Sequence, residues 1–240
     1  IPEDGGQTNY ILKPEPSNFE GLFESEAWAM EIAARVTNAA KVDVLKIEGA
    51  PKTLVVKRFD RYWKDGSCYR IHQEDCCQAL GLDVSQKYAS DSLPKKSDPS
   101  YESIANLLKQ YSYEPAKELE ELLTQVFVNV ILGNTDCHAK NYSFLHLDER
   151  SISLAPMYDV VPTREITPRV KAMGMRVGGT ILLDKIDRDI LLAEAKLWGI
   201  SAKRANSIID STAEKLHDAI DEVGEKYPAA ASKHSANSLK

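Results

Sequence analysis

The spacing of hydrophobic residues changes along the chain, and this change separates predicted strands from predicted helices. Short apolar runs at residues 9–13, 42–47 and 53–59 have the length and composition of strands. Between the first two runs, apolar residues recur at helical spacing over residues 22–36. The first 60 residues therefore predict the order strand, helix, strand, strand.

Beyond residue 70 the pattern is mainly helical. It predicts helices at residues 73–80, 101–111, 116–132, 188–198 and 202–226. Residues 83–100 lack a period and are rich in Ser, Asp, Lys and Pro, which indicates a loop. Residues 229–240 are small and polar, and we predict a flexible tail there.

The segment at residues 116–132 is the clearest predicted helix. Its apolar residues follow the i, i+3, i+4, i+7 rule throughout, with Pro115 just before it and Gly133 just after it. A helix this apolar belongs in a core, so it holds the next segment in a fixed place. Two short strands are predicted after that segment, at residues 142–147 and 152–154.

Composition and charge narrow the class of protein. Hydrophobic residues make up 43 % of the chain and charged residues 28 %, as in ordinary globular proteins. The net charge of −6, without a long basic run, argues against direct binding of DNA or RNA. No run approaches 18 apolar residues and no signal peptide is visible, so we expect a cytoplasmic protein without a membrane partner.

The four cysteines have spacings that match neither a zinc site nor a disulfide framework. We expect free thiols in a reducing compartment. The adjacent Cys76 and Cys77 read as core packing, and Cys137 reads as a small side chain rather than a nucleophile because no base for a thiol is evident.

A polar segment at residues 133–141 carries the candidate chemistry. It places Asp136, His138, Lys140 and Asn141 between an apolar helix and an apolar strand. Burying so many polar groups would be costly, so we expect the segment to line a cleft.

Three positions have the spacing of a phosphate-transfer site. Asn141 follows Asp136 by five residues, and Asp159 follows across the predicted hairpin. Protein kinases place a catalytic Asp, a metal-binding Asn and a metal-binding Asp in that order. A carboxylate must accept the hydroxyl proton during attack on phosphorus, and Asn and Asp supply the hard oxygen ligands that Mg²⁺ prefers.

The cation that such a site requires is predicted upstream. Lys13 ends the first strand, and Glu26 lies on the following helix, with Glu24 nearby as an alternative. In kinases a strand lysine contacts nucleotide phosphates and pairs with a helix glutamate. Each motif alone also fits solvated surface residues, and it is their order along the chain that favours function.

Together these motifs resemble those of the HipA family of serine/threonine kinases, the toxins of bacterial toxin–antitoxin pairs. The matching segments span most of residues 9–200. They are Ile11-Leu12-Lys13-Pro14, Val55-Val56-Lys57-Arg58-Phe59-Asp60-Arg61, His72-Gln73-Glu74-Asp75, Lys87-Tyr88, Asn134-x-Asp136-x-His138-x-Lys140-Asn141, Tyr158-Asp159-Val160 and Met173-x-Met175-Arg176-Val177-Gly178-Gly179. The resemblance implies an α+β, bilobal protein-kinase-like fold, with a small β-rich N-lobe at residues 1–60 and a mainly helical C-lobe at residues 61–228.

The resemblance also implies roles for the residues of the polar segment. Asp136 is the expected base, and His138 and Lys140 are expected to shape the catalytic loop. The expected ligands of Mg²⁺ are Asn141 and Asp159.

For the nucleotide, the resemblance implies ATP. Lys13 is expected to contact its phosphates and to pair with Glu26. The backbone between Lys57 and Phe59 is expected to meet adenine. Arg58, Asp60 and Arg61 are expected to form an ion pair near this hinge.

The partners implied by the resemblance are a protein substrate and a small DNA-binding antitoxin, through which DNA is contacted only indirectly. The family's best-known substrate is a glutamyl-tRNA synthetase, and another translation factor is an alternative. In the family, a nucleotide-covering loop and a smaller subdomain precede the lysine strand. Only residues 1–8 do so here and Gly5-Gly6 is no phosphate loop, so we expect both segments to be missing from this sequence.

Two other functions remain open. One is a truncated or inactive kinase-like module that holds an antitoxin or a missing subunit. The other is a small-molecule phosphotransferase on the same fold. The complete set of Asp136, Asn141 and Asp159 favours phosphate transfer over a scaffold, which has no chemical need for all three. His72 and His146 read as ordinary polar residues.

Overall fold

The computed structural model describes residues 7–90, 93–95, 97–167 and 169–234. The Gly5-Gly6 pair, part of the predicted loop at residues 83–100, and residues 235–240 of the predicted tail lie outside the described residues. Across the described ranges, no helix has both the length and the apolar character that crossing a membrane requires.

Strands and helices both occur along the described chain. The strands are β1 (Tyr10–Pro14), β2 (Val42–Leu45), β3 (Thr53–Lys57), β4 (Arg61–Lys64), β5 (Ser67–Arg70), β6 (His72–Asp75), β7 (Ser143–His146), β8 (Ile152–Leu154), β9 (Ala172–Val177) and β10 (Thr180–Leu182). The α-helices are α1 (Leu22–Val36), α2 (Cys76–Ala79), α3 (Tyr101–Tyr111), α4 (Pro115–Ile131), α5 (Thr163–Ile166), α6 (Arg188–Leu197), α7 (Ala202–Lys226) and α8 (Pro228–His234). Short 3₁₀ helices lie at Val84–Gln86, Ala139–Asn141 and Leu183–Lys185.

The first three strands form an antiparallel sheet in the order β1-β3-β2, and α1 packs against it. In the β1–β3 register, Lys13 is opposite Leu54. Helix α1 is buried along most of its length, at Phe23, Ala27, Trp28, Ala29, Met30, Ile32 and Ala33. Because burial is so extensive, Glu26 is carried into the interior with these residues and is only 3 % exposed. This packing places the Glu26 carboxylate beside β1.

A second antiparallel sheet, in the order β6-β7-β8, lies beside the polar segment. The predicted helix at residues 73–80 is wrong for residues 73–75, which belong to β6, and only Cys76–Ala79 form α2. These residues form a strand because they pair with β7, which lies 70 residues later in the chain. Asp75 then caps α2, because its side chain accepts the backbone N–H of Gln78.

The core lies around α4, which packs against α3 and α7. The predicted helices at residues 22–36, 101–111 and 202–226 are confirmed with the same bounds. Those at residues 116–132 and 188–198 are confirmed to within one residue. Periodicity locates these helices well because each buries one continuous apolar face.

Other elements were not predicted. The hairpins β4–β5 and β9–β10 lie in segments to which the sequence assigned no strand. Helix α8 lies where we predicted a flexible tail, and its Ala230 is buried. The small sheets and abundant helices confirm the predicted α+β class. The division into lobes at residue 60 stays a prediction.

Candidate active site

Lys13 is joined to two carboxylates. Its Nζ lies 2.8 Å from Glu26 Oε1 and 2.5 Å from Asp159 Oδ1, although Asp159 is 146 residues away in sequence. Glu24 lies on another face of α1, where its Oε1 is 2.9 Å from Lys46 Nζ. The partner of Lys13 on this helix is therefore Glu26 and not Glu24.

Burial and charge set the ionisation of this group. Burial opposes the charge on Lys13, but the attraction of Glu26 and Asp159 outweighs it, and the pKa of Lys13 rises above its ordinary value. Burial raises the pKa of Glu26, and the charge of Lys13 only partly offsets that effect. Lys13 therefore keeps its proton at neutral pH and presents a fixed positive charge.

The Lys13 group lines a cavity of about 300 Å³. Most of the other lining side chains are apolar or aromatic: Ile11, Met30, Val42, Val56, Phe59 and Tyr158. The Phe59 and Tyr158 rings lie 5.7 Å apart, and Lys57 also contributes to the wall. An apolar cavity with a few fixed charges is typical of a small-molecule site.

A buried carboxylate fixes the chain beside this cavity. Asp60 accepts hydrogen bonds from Arg58 Nε at 2.9 Å, from Arg58 Nη2 at 2.6 Å and from Arg61 Nη1 at 2.6 Å. Burial opposes the charge on Asp60, but the two arginines outweigh it and lower the pKa of this carboxyl. The predicted ion pair is present, and it holds the segment that places Phe59 in the wall.

Asp136 is the exposed residue of a buried loop. Its neighbours are at most 7 % exposed: Asn134, Thr135, Cys137 and His138. Tyr88 Oη donates a hydrogen bond to Asp136 Oδ1 at 2.7 Å. Burial and the adjacent Asp136 charge raise the pKa of Tyr88, so its hydroxyl remains a donor. The structure therefore presents the Asp136 carboxylate to solvent and orients it through Tyr88.

Asn141 is fastened to the same loop. Its Nδ2 donates to the backbone carbonyl of Asp136 at 3.1 Å, and its backbone N–H donates to the carbonyl of His138 at 2.9 Å. The amide is oriented by the first of these bonds, which does not use its Oδ1 atom. That oxygen is the side-chain atom of Asn141 suited to a hard cation.

A buried chain of hydrogen bonds supports this loop from below. Asn134 Nδ2 donates to Asn129 Oδ1 at 2.8 Å, and Asn129 Nδ2 donates to Tyr142 Oη at 2.9 Å. Tyr142 in turn donates to Tyr101 Oη at 3.3 Å. This network was not predicted from the sequence, although Asn129 is a polar residue within the apolar run of α4 and could have indicated it.

His138 has the environment of a scaffold residue. It is 7 % exposed, and its ring lies edge-on to Tyr88 with the centroids 5.0 Å apart. Burial lowers the pKa of His138, and the charges of Asp136 and Asp159 both act in the opposite direction. His138 is therefore neutral at neutral pH and lies within electrostatic reach of both carboxylates.

Two further loop residues have structural contacts. Lys140 forms an ion pair with Asp75, the cap of α2. Burial raises the pKa of the Cys137 thiol to about 11, which fits the predicted non-nucleophilic role. All four cysteines are free, as predicted.

Asp159 has a backbone conformation that few residues adopt. Its φ of 59° lies in the left-handed region, which Asp tolerates better than most non-glycine residues. The preceding Tyr158 holds the segment, since its Oη donates to the carbonyl of Lys140 at 2.6 Å and lies 2.6 Å from Ser143 Oγ. Strain of this kind, on the order of 1–3 kcal/mol, is concentrated at functional sites.

Gly174 lets strand β9 approach the loop closely. A Cβ atom at this position would lie 2.7 Å from the backbone nitrogen of His138 and 2.8 Å from the carbonyl oxygen of Cys137. Both contacts are to backbone, which cannot rotate away. Gly174 is therefore required by packing rather than by its own backbone angle.

The Gly174→Ala variant is expected to unfold more easily than the unaltered chain, by about 1–3 kcal/mol, because the added methyl group displaces the loop. Gly224→Ala is the matched control: it lies in α7, where the new methyl group meets only Ala231 Cβ at 3.4 Å. Chemical denaturation measures both variants, and equal stabilities would contradict the close packing.

A second cavity, of about 700 Å³, opens beside Asp136. Its described lining includes hydroxyl groups and small residues: Ser85, Ser90, Thr135, Thr163, Thr167, Ala172 and Gly174. Among the described residues that line it, Asp136 alone is charged, and none also lines the cavity at Lys13. This groove gives an extended molecule access to Asp136.

The predicted site residues thus fall into two groups. Lys13, Glu26 and Asp159 are in direct contact, and Asp136 is linked to Asn141. Within the described ranges no hydrogen bond joins one group directly to the other, and the fold places buried His138 near both carboxylates.

A family model, related sequences and a solved structure all indicate the same family for this chain. A family model described as the HipA-like C-terminal domain matches residues 2–220. A Sinorhizobium fredii protein named "Putative kinase Y4mE" is 35 % identical over 246 residues, which cover 100 % of this chain and 57 % of that protein. The serine/threonine-protein kinase toxin HipA of Shewanella oneidensis is 33 % identical over 163 residues, covering 64 % of this chain and 36 % of that protein.

A solved structure is also similar. It is the Shewanella oneidensis complex of HipA, HipB and operator DNA, with a TM-score of 0.83 and 25 % identity. The match covers 97 % of this chain and 57 % of the solved chain. The chain therefore spans about half the length of the first relative and of this solved chain.

Proposed function

The chain belongs to the family of HipA-like C-terminal domains, and from this premise we propose that it transfers the γ-phosphate of ATP to serine or threonine residues of a protein, with Mg²⁺. The observation that carries the proposal is the contact of Lys13 with both Glu26 and Asp159 in the wall of an apolar cavity. That constellation supplies a nucleotide site with a fixed positive charge for phosphate.

The cavity at Lys13 fits ATP by its chemistry. The apolar walls, with Phe59 and Tyr158, suit a flat heteroaromatic base. The Lys13 ammonium suits phosphate oxygens, and Glu26 keeps that ammonium positioned. Lys57 and Phe59 line the wall where the adenine is expected.

Asn141 and Asp159 fit Mg²⁺ by their donor atoms. Asn141 offers its amide oxygen, and Asp159 offers Oδ2, since Lys13 contacts its Oδ1. Such hard oxygen ligands hold Mg²⁺ together with phosphate oxygens. When bound, the ion neutralises the charge that develops on the phosphates.

Asp136 is the group that accepts the proton of the attacking hydroxyl. Its carboxylate is exposed, it faces a groove, and its second oxygen is not the one that binds Tyr88. Tyr88 and the buried loop hold the carboxylate in one orientation, which lowers the entropic cost of reaching the transition state. His138 and Lys140 position the loop and are assigned no proton transfer.

The groove beside Asp136 is the proposed entry for a protein segment. Its uncharged, hydroxyl-rich walls allow a serine or threonine side chain to approach Asp136 without burying an unpaired charge. The proposed substrate, from the resemblance, is a glutamyl-tRNA synthetase or another translation factor. The solved HipA complex with HipB and operator DNA supports a small DNA-binding antitoxin as a further proposed partner.

Labelling in a lysate of the host organism tests the proposal. The purified chain is incubated with ATP labelled in the γ-phosphate, with Mg²⁺ or with EDTA. We expect Mg²⁺-dependent label on a host protein, recovered as phosphoserine or phosphothreonine. Label on a small molecule instead would favour the small-molecule phosphotransferase. Bound ATP without any transfer would favour the binding module.

A further inference from the structure

A cluster of metal-ligating side chains lies outside the candidate active site. Among the described residues, His72, Glu74 and His146 each offer one ligand atom, and these atoms all lie within 4.8 Å of one another. His72 is exposed and the other two are half-buried. We infer that this cluster binds one divalent transition-metal ion of the Zn²⁺ class, which links strand β6 to strand β7.

The strand register produces this cluster. His72 on β6 and His146 on β7 are directly opposite each other, and their ring centroids lie 4.7 Å apart. Glu74 is two residues beyond His72, so its side chain emerges on the same face. His146 Nε2 lies 2.8 Å from Glu74 Oε2. The strand register therefore brings the three side chains together on one face of the sheet.

The donor set selects the class of metal. Two imidazoles and one carboxylate are typical of Zn²⁺ sites that keep a coordination position open. Imidazole ligands favour Zn²⁺, Cu²⁺ or Ni²⁺ over Mg²⁺, which prefers oxygen ligands only. A cavity of about 260 Å³, whose lining includes Glu74, His146, Glu149 and Arg150, leaves room for water or a further ligand.

The cluster lies on the opposite face of the sheet from the nucleotide cavity. Gln73 and Ser143, the alternate residues of the same strands, are hydrogen-bonded at 3.0 Å on the other face, and Gln73 lines that cavity. The metal site is therefore separate from the Mg²⁺ ligands proposed above, and the inference does not depend on kinase activity.

An ion bound at this cluster would connect the two strands that flank the loop containing Lys140 and Asn141. Strand β7 begins two residues after Asn141, and Asp75, which follows Glu74, binds Lys140 of the loop. An ion that joins β6 to β7 therefore holds the two strands that flank this loop.

Zn²⁺ titration of the metal-free chain tests the inference. We expect one equivalent of Zn²⁺ to bind and to raise the unfolding temperature. His72→Gln is the decisive variant, because it removes one ligand and leaves the His146–Glu74 contact intact. Since losing even an outer-shell partner costs about 10–100-fold in affinity, losing a ligand should weaken binding by at least about 100-fold.

Two controls make the outcome specific. His217→Gln changes an exposed histidine that also lies near acidic residues, Asp218 and Asp221, and it should bind Zn²⁺ as the unaltered chain does. Asp159→Asn should also leave the Zn²⁺ affinity unchanged. No saturable binding, or equal affinity in the His72→Gln variant, would show that His146 and Glu74 form only an ion pair, and would overturn the inference.

Discussion

The Asp136→Asn variant is expected to bind ATP as the unaltered chain does and to transfer phosphate at least about 100-fold more slowly, because general-base catalysis contributes roughly 10²–10⁴-fold. Asparagine has the shape of aspartate but accepts no proton at neutral pH. The affinity for ATP should hold because Asp136 does not line the nucleotide cavity. Stability should hold because the side chain is exposed.

Tyr88→Phe is the companion to this variant. It removes the hydrogen bond to Asp136 and keeps the carboxylate. We expect a loss of roughly 10-fold, the lower end of the range of about 1.5–3 kcal/mol for a hydrogen bond to a charged group, because this bond is exposed. Initial rates at saturating ATP, with ATP affinity measured by calorimetry, compare the two variants. Equal rates of phosphate transfer by Asp136→Asn and by the unaltered chain would show that Asp136 takes no part in the reaction.

The Lys13→Met variant is expected to lose both nucleotide affinity and phosphate transfer. A charged hydrogen bond contributes about 1.5–3 kcal/mol, so ATP should bind roughly 10- to 100-fold more weakly. Transfer should fall by a further factor of about 10²–10³, because a preorganised charge is lost from the transition state.

Measuring the free energy of unfolding of Lys13→Met distinguishes a lost phosphate contact from a loss of folded protein. Lys13→Met leaves the buried Glu26 without its cation, and we expect a loss of about 1–3 kcal/mol, less than for a fully buried pair. The expected loss is smaller than for a fully buried pair because the Lys13 side chain is 33 % exposed and solvent screens the interaction. Adding Glu26→Gln should restore part of the stability, because the buried carboxylate is neutralised, but none of the ATP affinity. Tight ATP binding by Lys13→Met would contradict the assigned phosphate contact.

The sequence alone was enough to assign Lys13, Glu26 and Asp159 to one phosphate-transfer site and to pair Lys13 with Glu26, whereas the direct contact of Lys13 with Asp159 is visible only in the structure. Phosphate transfer needs a cation and several carboxylate or amide oxygens in a fixed order, and that order is visible without knowing the fold. It also left Glu24 and Glu26 as alternatives. Only the packing of α1 against the first sheet shows that Glu26 is buried beside Lys13, whereas Glu24 binds surface lysines.

The features that could not be predicted from the sequence share one cause. Strand β6, the Tyr88–Asp136 hydrogen bond and the close approach at Gly174 all depend on partners far along the chain. Local periodicity carries no information about such partners. The His72–His146 pair is the same case, because two ordinary polar residues become a cluster only when β6 and β7 align.

We propose that the chain transfers the γ-phosphate of ATP, and not another part of the nucleotide, to protein. Parallel reactions of the unaltered chain with ATP labelled in the γ-phosphate or in the α-phosphate test it most directly, in a host lysate with Mg²⁺. We expect protein-bound label from the γ-labelled ATP alone. Label from the α-labelled ATP, or none from the γ-labelled ATP while ATP is bound, would contradict it.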